Sequence, residues 1–319
     1  WYSQAGTPEV DVTGHYDEVL QTYSLTLKQS CPDTPGQTDK LEFHIPVAVG
    51  LLDNQGQSLA LQLEGEATAS DVETRILSLT ETEQTYTFIN VTTVPVPSLL
   101  RGFSAPVKLN QSRTDAELAF LMANDIDSFN RWDAGQQLFI NVLLDMVNSI
   151  HNVELTVPSV LVEQIKAVLA DADKDPALVA KMLSIPSENY LAAQSKPADV
   201  DAIHSAREFL KHTLATSLKQ EFSDIYQRFN DNAKYEFTSE AMAKRSLKNA
   251  CLSYLMATND PMQTQRCLKQ MKQADNMTDT LAGLSLMADQ KGPESEHALR
   301  AFFEQWQHDR QVVDKWLTV

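Results

Sequence analysis

The sequence predicts a multidomain β + α protein: an N-terminal antiparallel β-sandwich of the immunoglobulin/fibronectin kind, followed by an α-helical solenoid of the HEAT or armadillo kind. Three observations carry this reading. Composition breaks near residue 101: residues 1–101 hold no Met, 14 Thr and only 5 Ala, whereas all nine Met lie in 102–319. The hydrophobic period changes at the same place, from two residues to about 3.6. Proline and glycine punctuate the crossing, in Val94-Pro95-Val96-Pro97 and Gly102-Phe103-Ser104-Ala105-Pro106, where proline forces extended backbone on the residue before it. The boundary falls between Arg101 and Asn110, giving a sandwich domain over 1–108 and a helical domain over 109–319.

In the first domain, Tyr23, Leu25 and Leu27 alternate with Ser24, Thr26 and Lys28 as a half-buried strand requires. Leu41 to Val49 repeats the pattern with the large apolar residues at odd positions. Pro46 has no N–H for a ladder, so an edge or a bend is predicted there. Asp53-Asn54-Gln55-Gly56 is a turn signal leading to Leu59, Leu61 and Leu63. Residues 76–79 and 85–91 read as a pair of strands around a short polar loop. Short strands at this interval, rich in Thr and β-branched residues, indicate a sandwich.

In the second domain, Thr114-Asp115-Ala116-Glu117 is a capping box opening a helix that runs to about Asn124. Ser128 is the expected cap of the next helix, whose apolar stripe includes Phe129, Trp132, Leu138, Val142 and Met146. Pro158, Pro176 and Pro261 suit first-turn positions, where the missing N–H has no partner to lose. Longer helices are predicted at 199–229, 238–257, 276–290 and 294–319. The late helices start about 20 residues apart, so a pair takes roughly 40 residues, the period of HEAT and armadillo repeats.

The net charge is −17, which phosphate backbones repel, so nucleic-acid binding is not expected. No apolar run approaches the ~18 residues needed to span a bilayer, so no membrane partner is expected. Three widely spaced cysteines, Cys31, Cys251 and Cys267, are not a disulfide framework and point to a reducing, cytoplasmic compartment. Sequons at Asn90, Asn110 and Asn276 matter only in a secreted eukaryotic protein. The chain opens on Trp1 and closes inside an apolar-periodic run, Ala301 to Val319, which is the pattern expected of a cut through a longer polypeptide.

No constellation of residues compels a reaction. Asp171-Ala172-Asp173-Lys174-Asp175 begins like a calcium loop, but the sixth position is Pro176 rather than Gly and the twelfth is Met182 rather than Glu; a solvated turn ending in an Asp cap is expected. His204, Glu208 and His212 share one helical stripe, yet the end residues stand about 12 Å apart and cannot share one ion. A polar exposed face is expected there. His15, His44, His151, His297 and His308 form no ligand spacing. Ser104 lacks the second glycine of a nucleophile elbow. Cys31 reads as an inert thiol in a loop, and Cys251 and Cys267 as core residues. Arg131-Trp132-Asp133 reads as a tie between neighbouring helices under an aromatic ring rather than as a ligand site. Accordingly no catalytic, cofactor-binding or metal-binding residue is assigned.

Several of these segments carry a family likeness. Residues 1–8 (Trp-Tyr-Ser-Gln-Ala-Gly-Thr-Pro), the strand from Leu41 with its turn at residues 53–56, and residues 94–107 resemble the third domain of bacterial enzymes of the gluzincin (M1) aminopeptidase family, alanyl aminopeptidase branch. Phe129-Asn130-Arg131-Trp132-Asp133-Ala134, Leu247-Lys248-Asn249-Ala250-Cys251 and Asn276-Met277-Thr278-Asp279 are similar to the C-terminal helical domain of that family. The resemblance implies cytoplasmic zinc exopeptidases that remove N-terminal residues from peptides, with the zinc motif and the amino-group-binding motif in a catalytic domain that precedes the sandwich. This chain contains neither motif. The expectation is therefore a non-catalytic C-terminal portion of such an enzyme, without cofactor of its own, whose partners are the upstream catalytic domain and, through it, peptides. A stand-alone interaction module with a helical-repeat binding surface is the alternative, and a hydrolase using scattered carboxylates a third reading.

Overall fold

The computed structural model describes all residues except 71, 232 and 233. The chain separates into two compact units, Trp1–Leu138 and Phe139–Val319.

Seven strands form two sheets in the first unit. They are β1 (Glu9–Asp17), β2 (Thr22–Ser30), β3 (Ile45–Leu52), β4 (Arg75–Leu79), β5 (Glu83–Phe88), β6 (Val96–Leu99) and β7 (Lys108–Asn110). One sheet has the order β5-β2-β1-β7 and the other β4-β3-β6. All strand pairs are antiparallel except β1 with β7, which run parallel. Alternate residues point inward, so Tyr23, Leu25 and Leu27 from one sheet and Ile45, Val47, Val49, Leu77 and Leu79 from the other fill one core. Asp53 Oδ1 accepts from the backbone N–H groups of Gln55 and Gln57, and Gly56 takes φ 79°, completing the expected turn.

Three strand expectations change. The strand predicted from Leu41 begins at Ile45, because the backbone of Phe43 bonds to a side chain instead of a neighbouring strand. Gln29, 5% exposed, donates Nε2 to Phe43 O at 2.9 Å and accepts from Phe43 N at 2.7 Å. Residues 76–79 and 85–91 do not pair with each other. The polar link between β4 and β5 carries the chain from one sheet to the other, and Tyr86 donates its hydroxyl back to Ser78 O at 2.7 Å. Pro46 sits in the central strand of the three-stranded sheet, but where β3 is paired with β4 alone, since the pairing of β3 with β6 begins only at Val49. Beyond the end of β6 a serine replaces the missing strand: Ser104 Oγ donates to Pro46 O at 2.9 Å and accepts from Ala48 N at 3.0 Å.

The first unit also holds α1 (Asp115–Asn124) and the first half of α2 (Ser128–Ser149). The capping box forms: Thr114 Oγ1 accepts from Glu117 N, and Glu117 Oε2 accepts from Thr114 N. The cap of α2 is Asp127 rather than Ser128, for it is the Asp127 carboxylate that accepts from Asn130 N at 2.9 Å. A buried ion pair anchors these helices to the strand edge. Arg101, in a short 3-10 turn (Arg101–Phe103), places Nη2 at 2.9 Å from Asp125 Oδ1, with both side chains at most 2% exposed. The charges are close, but their alignment leaves Arg101 Nη2 and Asp125 Oδ2 without a hydrogen bond. The other guanidinium nitrogens are satisfied by Ser98 Oγ, Glu73 O and Thr74 Oγ1. Asn130 donates to Ser98 Oγ and Leu99 O. Gly50 makes room for the guanidinium, since a Cβ there would lie 2.1 Å from Arg101 Cζ.

The second unit is helical: the remainder of α2, then α3 (Ser159–Ala170), α4 (Pro176–Met182), α5 (Glu188–Gln194), α6 (Val200–Ser217), α7 (Lys219–Phe229), α8 (Ser239–Ala257), α9 (Pro261–Gln273), α10 (Met277–Ala288), α11 (Pro293–Trp306) and α12 (Arg310–Thr318). Helices α4, α6, α7, α9 and α10 all pack on α8, which buries Leu247, Cys251, Leu252, Tyr254, Leu255 and Met256. Pro176 and Pro261 occupy first-turn positions, while Pro158 stands one residue earlier, at the N-cap of α3. The helix predicted at 199–229 is two helices broken at Leu218 (φ −118°, ψ 26°). Its apolar period runs unbroken across the junction, with Leu210, Leu214, Leu218 and Phe222 all buried, so packing rather than a local stop residue sets the break. The helix predicted at 294–319 also divides. Asp309 caps α12 by accepting from Gln311 N and Val312 N.

Candidate functional site

The helical unit has a groove of about 560 Å³ lined by the C-terminal end of α7, residues 230, 231, 234–236 and 238, the first turns of α8, the end of α9 and the start of α10. Its floor is polar. Lys248 of α8 and Asp279 of α10 form an ion pair at 2.6 Å with side chains 7% and 6% exposed. Asp279 is the third residue of α10, and Asn276 caps that helix by accepting from Asp279 N while donating Nδ2 to Asp279 Oδ2. The helix N-terminus favours the carboxylate, and Asn249 donates to its second oxygen at 2.9 Å.

The chain of bonds continues outward. Gln270 of α9 donates to Asn249 Oδ1 at 2.8 Å and accepts from the Tyr226 hydroxyl at 3.0 Å. Burial pushes the Tyr226 phenol up to about 12, so it stays protonated and donates. Arg266 stacks over the Tyr226 ring. At the rim, Arg245 lies 4.8 Å from the centre of the Tyr235 ring, and Lys244 pairs with Glu240. Every member of this network is committed to a neighbour. Among its described residues no nucleophile is held against a base.

The residues singled out from sequence are dispersed. His204 Nδ1 meets Glu188 Oε1 at 2.8 Å, and His212 Nδ1 meets Ala257 O at 2.8 Å, so each exposed imidazole has its own partner. Asp175 caps α4, Lys174 pairs with Asp171, and Asp173 pairs with Arg228. Ser104 holds the β3 backbone. Cys251 and Cys267 are fully buried, and burial pushes both thiols up to about 12, which keeps them protonated and unreactive. Cys31 is half-buried in a loop. Arg131 donates Nε to Met122 O at 3.1 Å, tying α2 to α1, and Trp132 continues an aromatic row with Phe129 and Phe103. Burial raises the Asp133 carboxyl, opposed by a hydrogen bond from Gln137 and by the Arg113 charge. Among the described residues, no three His, Cys, Asp or Glu side chains come together as a metal-holding group. The described residues therefore offer no donor set for the zinc that the resemblance implies.

The Tyr226–Gln270–Asn249–Asp279–Lys248 network was not visible as a site in the sequence. Its one local signal is Asn276-x-x-Asp279, a cap followed three residues later by an acid. The rest depends on which helices meet.

These features define the class: an immunoglobulin-like sandwich continued by armadillo-type helical repeats. A family described as "Domain of unknown function (DUF3458_C) ARM repeats" matches residues 115–319, and one described as "Domain of unknown function (DUF3458) Ig-like fold" matches residues 6–112. The chain belongs to the DUF3458_C ARM-repeat family. It is similar to proteins named Aminopeptidase N: 39% identical to that of Escherichia coli over 99% of this chain and 36% of the relative, and 39% identical to that of Haemophilus influenzae over 100% and 36%. A crystal structure of Legionella pneumophila aminopeptidase A in complex with aspartic acid matches with a TM-score of 0.81 at 26% identity, covering 98% of this chain and 35% of that one. The chain thus spans about a third of the length of the relatives it matches. Among the described residues, no helix is long and apolar enough to cross a membrane.

Proposed function

We propose that this chain is the sandwich and helical-repeat portion of a cytoplasmic zinc aminopeptidase that removes N-terminal residues from peptides, with residues 1–108 and 109–319 as its two domains. The zinc and the catalytic groups belong to sequence that precedes it. The chain's own task is architectural: the repeats wall the chamber in which peptides are held, keeping folded proteins out and restricting water around the bound substrate. The observation that supports this most is the asymmetry of the alignment, 99% of this chain against 36% of its relative. The polar groove, built for contact and without a nucleophile–base pair, is in keeping with it.

The test is an assay of the purified chain with aminoacyl p-nitroanilides in the presence of zinc, with bound metal measured by mass spectrometry. No turnover and no stoichiometric zinc are expected. Turnover accompanied by one bound zinc per chain overturns the reading.

A further inference from the structure

A second, smaller cavity of about 210 Å³ lies between the end of α4, α6 and α8. One side is apolar, with Leu183, Ile185 and the ring of Tyr254. The other carries Arg207 and Lys211 of α6 and the hydroxyl of Ser253 of α8. None of the described residues lining it is acidic.

The polar groups are not equally engaged. Tyr254 donates its hydroxyl to Leu183 O at 2.7 Å. Arg207 donates Nε to Pro186 O at 2.7 Å and has Nη1 3.5 Å from Glu188. Lys211 has no acceptor within hydrogen-bond or ion-pair distance among the described residues, and neither does the Ser253 hydroxyl. Lys211 is half-buried, and its loss of water pushes the amine below its ordinary value, with Arg207 acting in the same direction and Glu208 and Asp289 opposing. A half-buried ammonium without a protein acceptor keeps only part of its hydration, at some cost. A bound anion would remove that cost, and charge-assisted hydrogen bonds are the strong ones.

We infer that this cavity is a binding site for a small carboxylate with a short apolar tail, the carboxylate meeting Lys211, Arg207 and Ser253 and the tail lying against Leu183, Ile185 and Tyr254. All of the lining residues belong to one compact unit, and their chemistry does not depend on whether the chain works beside a peptidase domain.

The experiment titrates the purified chain with isovalerate, and separately with inorganic phosphate, at constant ionic strength, by calorimetry and by the thermal midpoint. Isovalerate is expected to bind and to raise the midpoint. Affinity is expected to fall about tenfold or more in Lys211→Met, the loss of one charge-assisted bond, and about threefold in Ser253→Ala. Without ligand, Lys211→Met is expected to be at least as stable as the parent, because it removes a partly desolvated cation; a lysine with a purely structural role would give the reverse. Equal response of the parent and Lys211→Met to isovalerate overturns the site. Phosphate binding as tightly as isovalerate overturns the apolar-tail assignment. If Lys211→Met does not fold, Lys211→Gln and Ser253→Ala carry the same comparison.

Discussion

Each compact unit buries one ion pair, and the two pairs are supported in different ways. In the sandwich unit the cation has more partners: Arg101 spreads Nε and Nη1 over Ser98, Glu73 O and Thr74, though Nη2 has no hydrogen bond, while Asp125 accepts at Oδ1 from Asp127 N and has no hydrogen bond at Oδ2. In the helical unit the anion is the better-supported partner: Asp279 has Lys248, Asn249, Asn276 and the start of α10, while among the described residues the Lys248 ammonium has Asp279 as its one acceptor. Guanidinium geometry explains the first case, since five donors in a fixed fork can hold several strand and loop acceptors at once. A helix terminus explains the second, since it offers backbone donors and a favourable dipole to a carboxylate. The consequence is that either pair, cut at one side, should fail asymmetrically.

The largest effect is expected in the sandwich unit. Asp125→Ala leaves a buried guanidinium facing an empty position and should cost about 3–5 kcal/mol, the usual loss for stranding one member of a buried pair. Urea unfolding of the variant checks this. A loss under about 1 kcal/mol would mean that the Ser98, Glu73 and Thr74 bonds alone neutralise Arg101, erasing the contrast.

In the helical unit the two sides of the pair are expected to differ. Asp279→Ala strands the Lys248 ammonium and should again cost about 3–5 kcal/mol, whereas Lys248→Met leaves a carboxylate that three other groups still hold and should cost about 2 kcal/mol. The order of the two urea midpoints is the test. Equal losses would show that the helix terminus contributes nothing to Asp279.

The smallest effect is expected where an ion pair is exposed. The hydrogen bond to Glu188 raises the His204 imidazole above its ordinary value, and the same bond lowers the Glu188 carboxyl. For His204, whose folded value lies above its unfolded one, the contribution to stability is full below the unfolded value and fades as pH rises through the folded one. For Glu188 the contribution is full above its unfolded value and fades as pH falls through the lowered one. The pair therefore supports the fold only between those limits. In an NMR titration, the His204 midpoint should lie above the ordinary imidazole value and drop in Glu188→Gln. An unchanged midpoint would remove this exposed pair from the comparison.

Much of the architecture could be read from local pattern. Alternation identified β2 and the buried face of β3, the capping box located α1, and Asp175-Pro176 located α4, because each depends on neighbours within four residues. The near misses share one cause. Phe43 left the ladder because the Gln29 side chain, distant in sequence, took its backbone bonds. The strands β4 and β5 went to different sheets because the exposed link between them passes from one sheet to the other. Residues 199–229 broke at Leu218 although their apolar period did not. The Asp309 cap, by contrast, was local and was passed over.

The sequence by itself determined a sandwich followed by helical repeats and the burial of Cys251 and Cys267, since periodicity and composition report which faces must leave water. Only tertiary structure decided that Lys248 meets Asp279, that Arg101 meets Asp125, and that Lys211 lines a cavity whose described lining includes no acid. Those pairings depend on which helices and strands lie against one another, and no spacing along the chain encodes the direction in which two distant side chains will point.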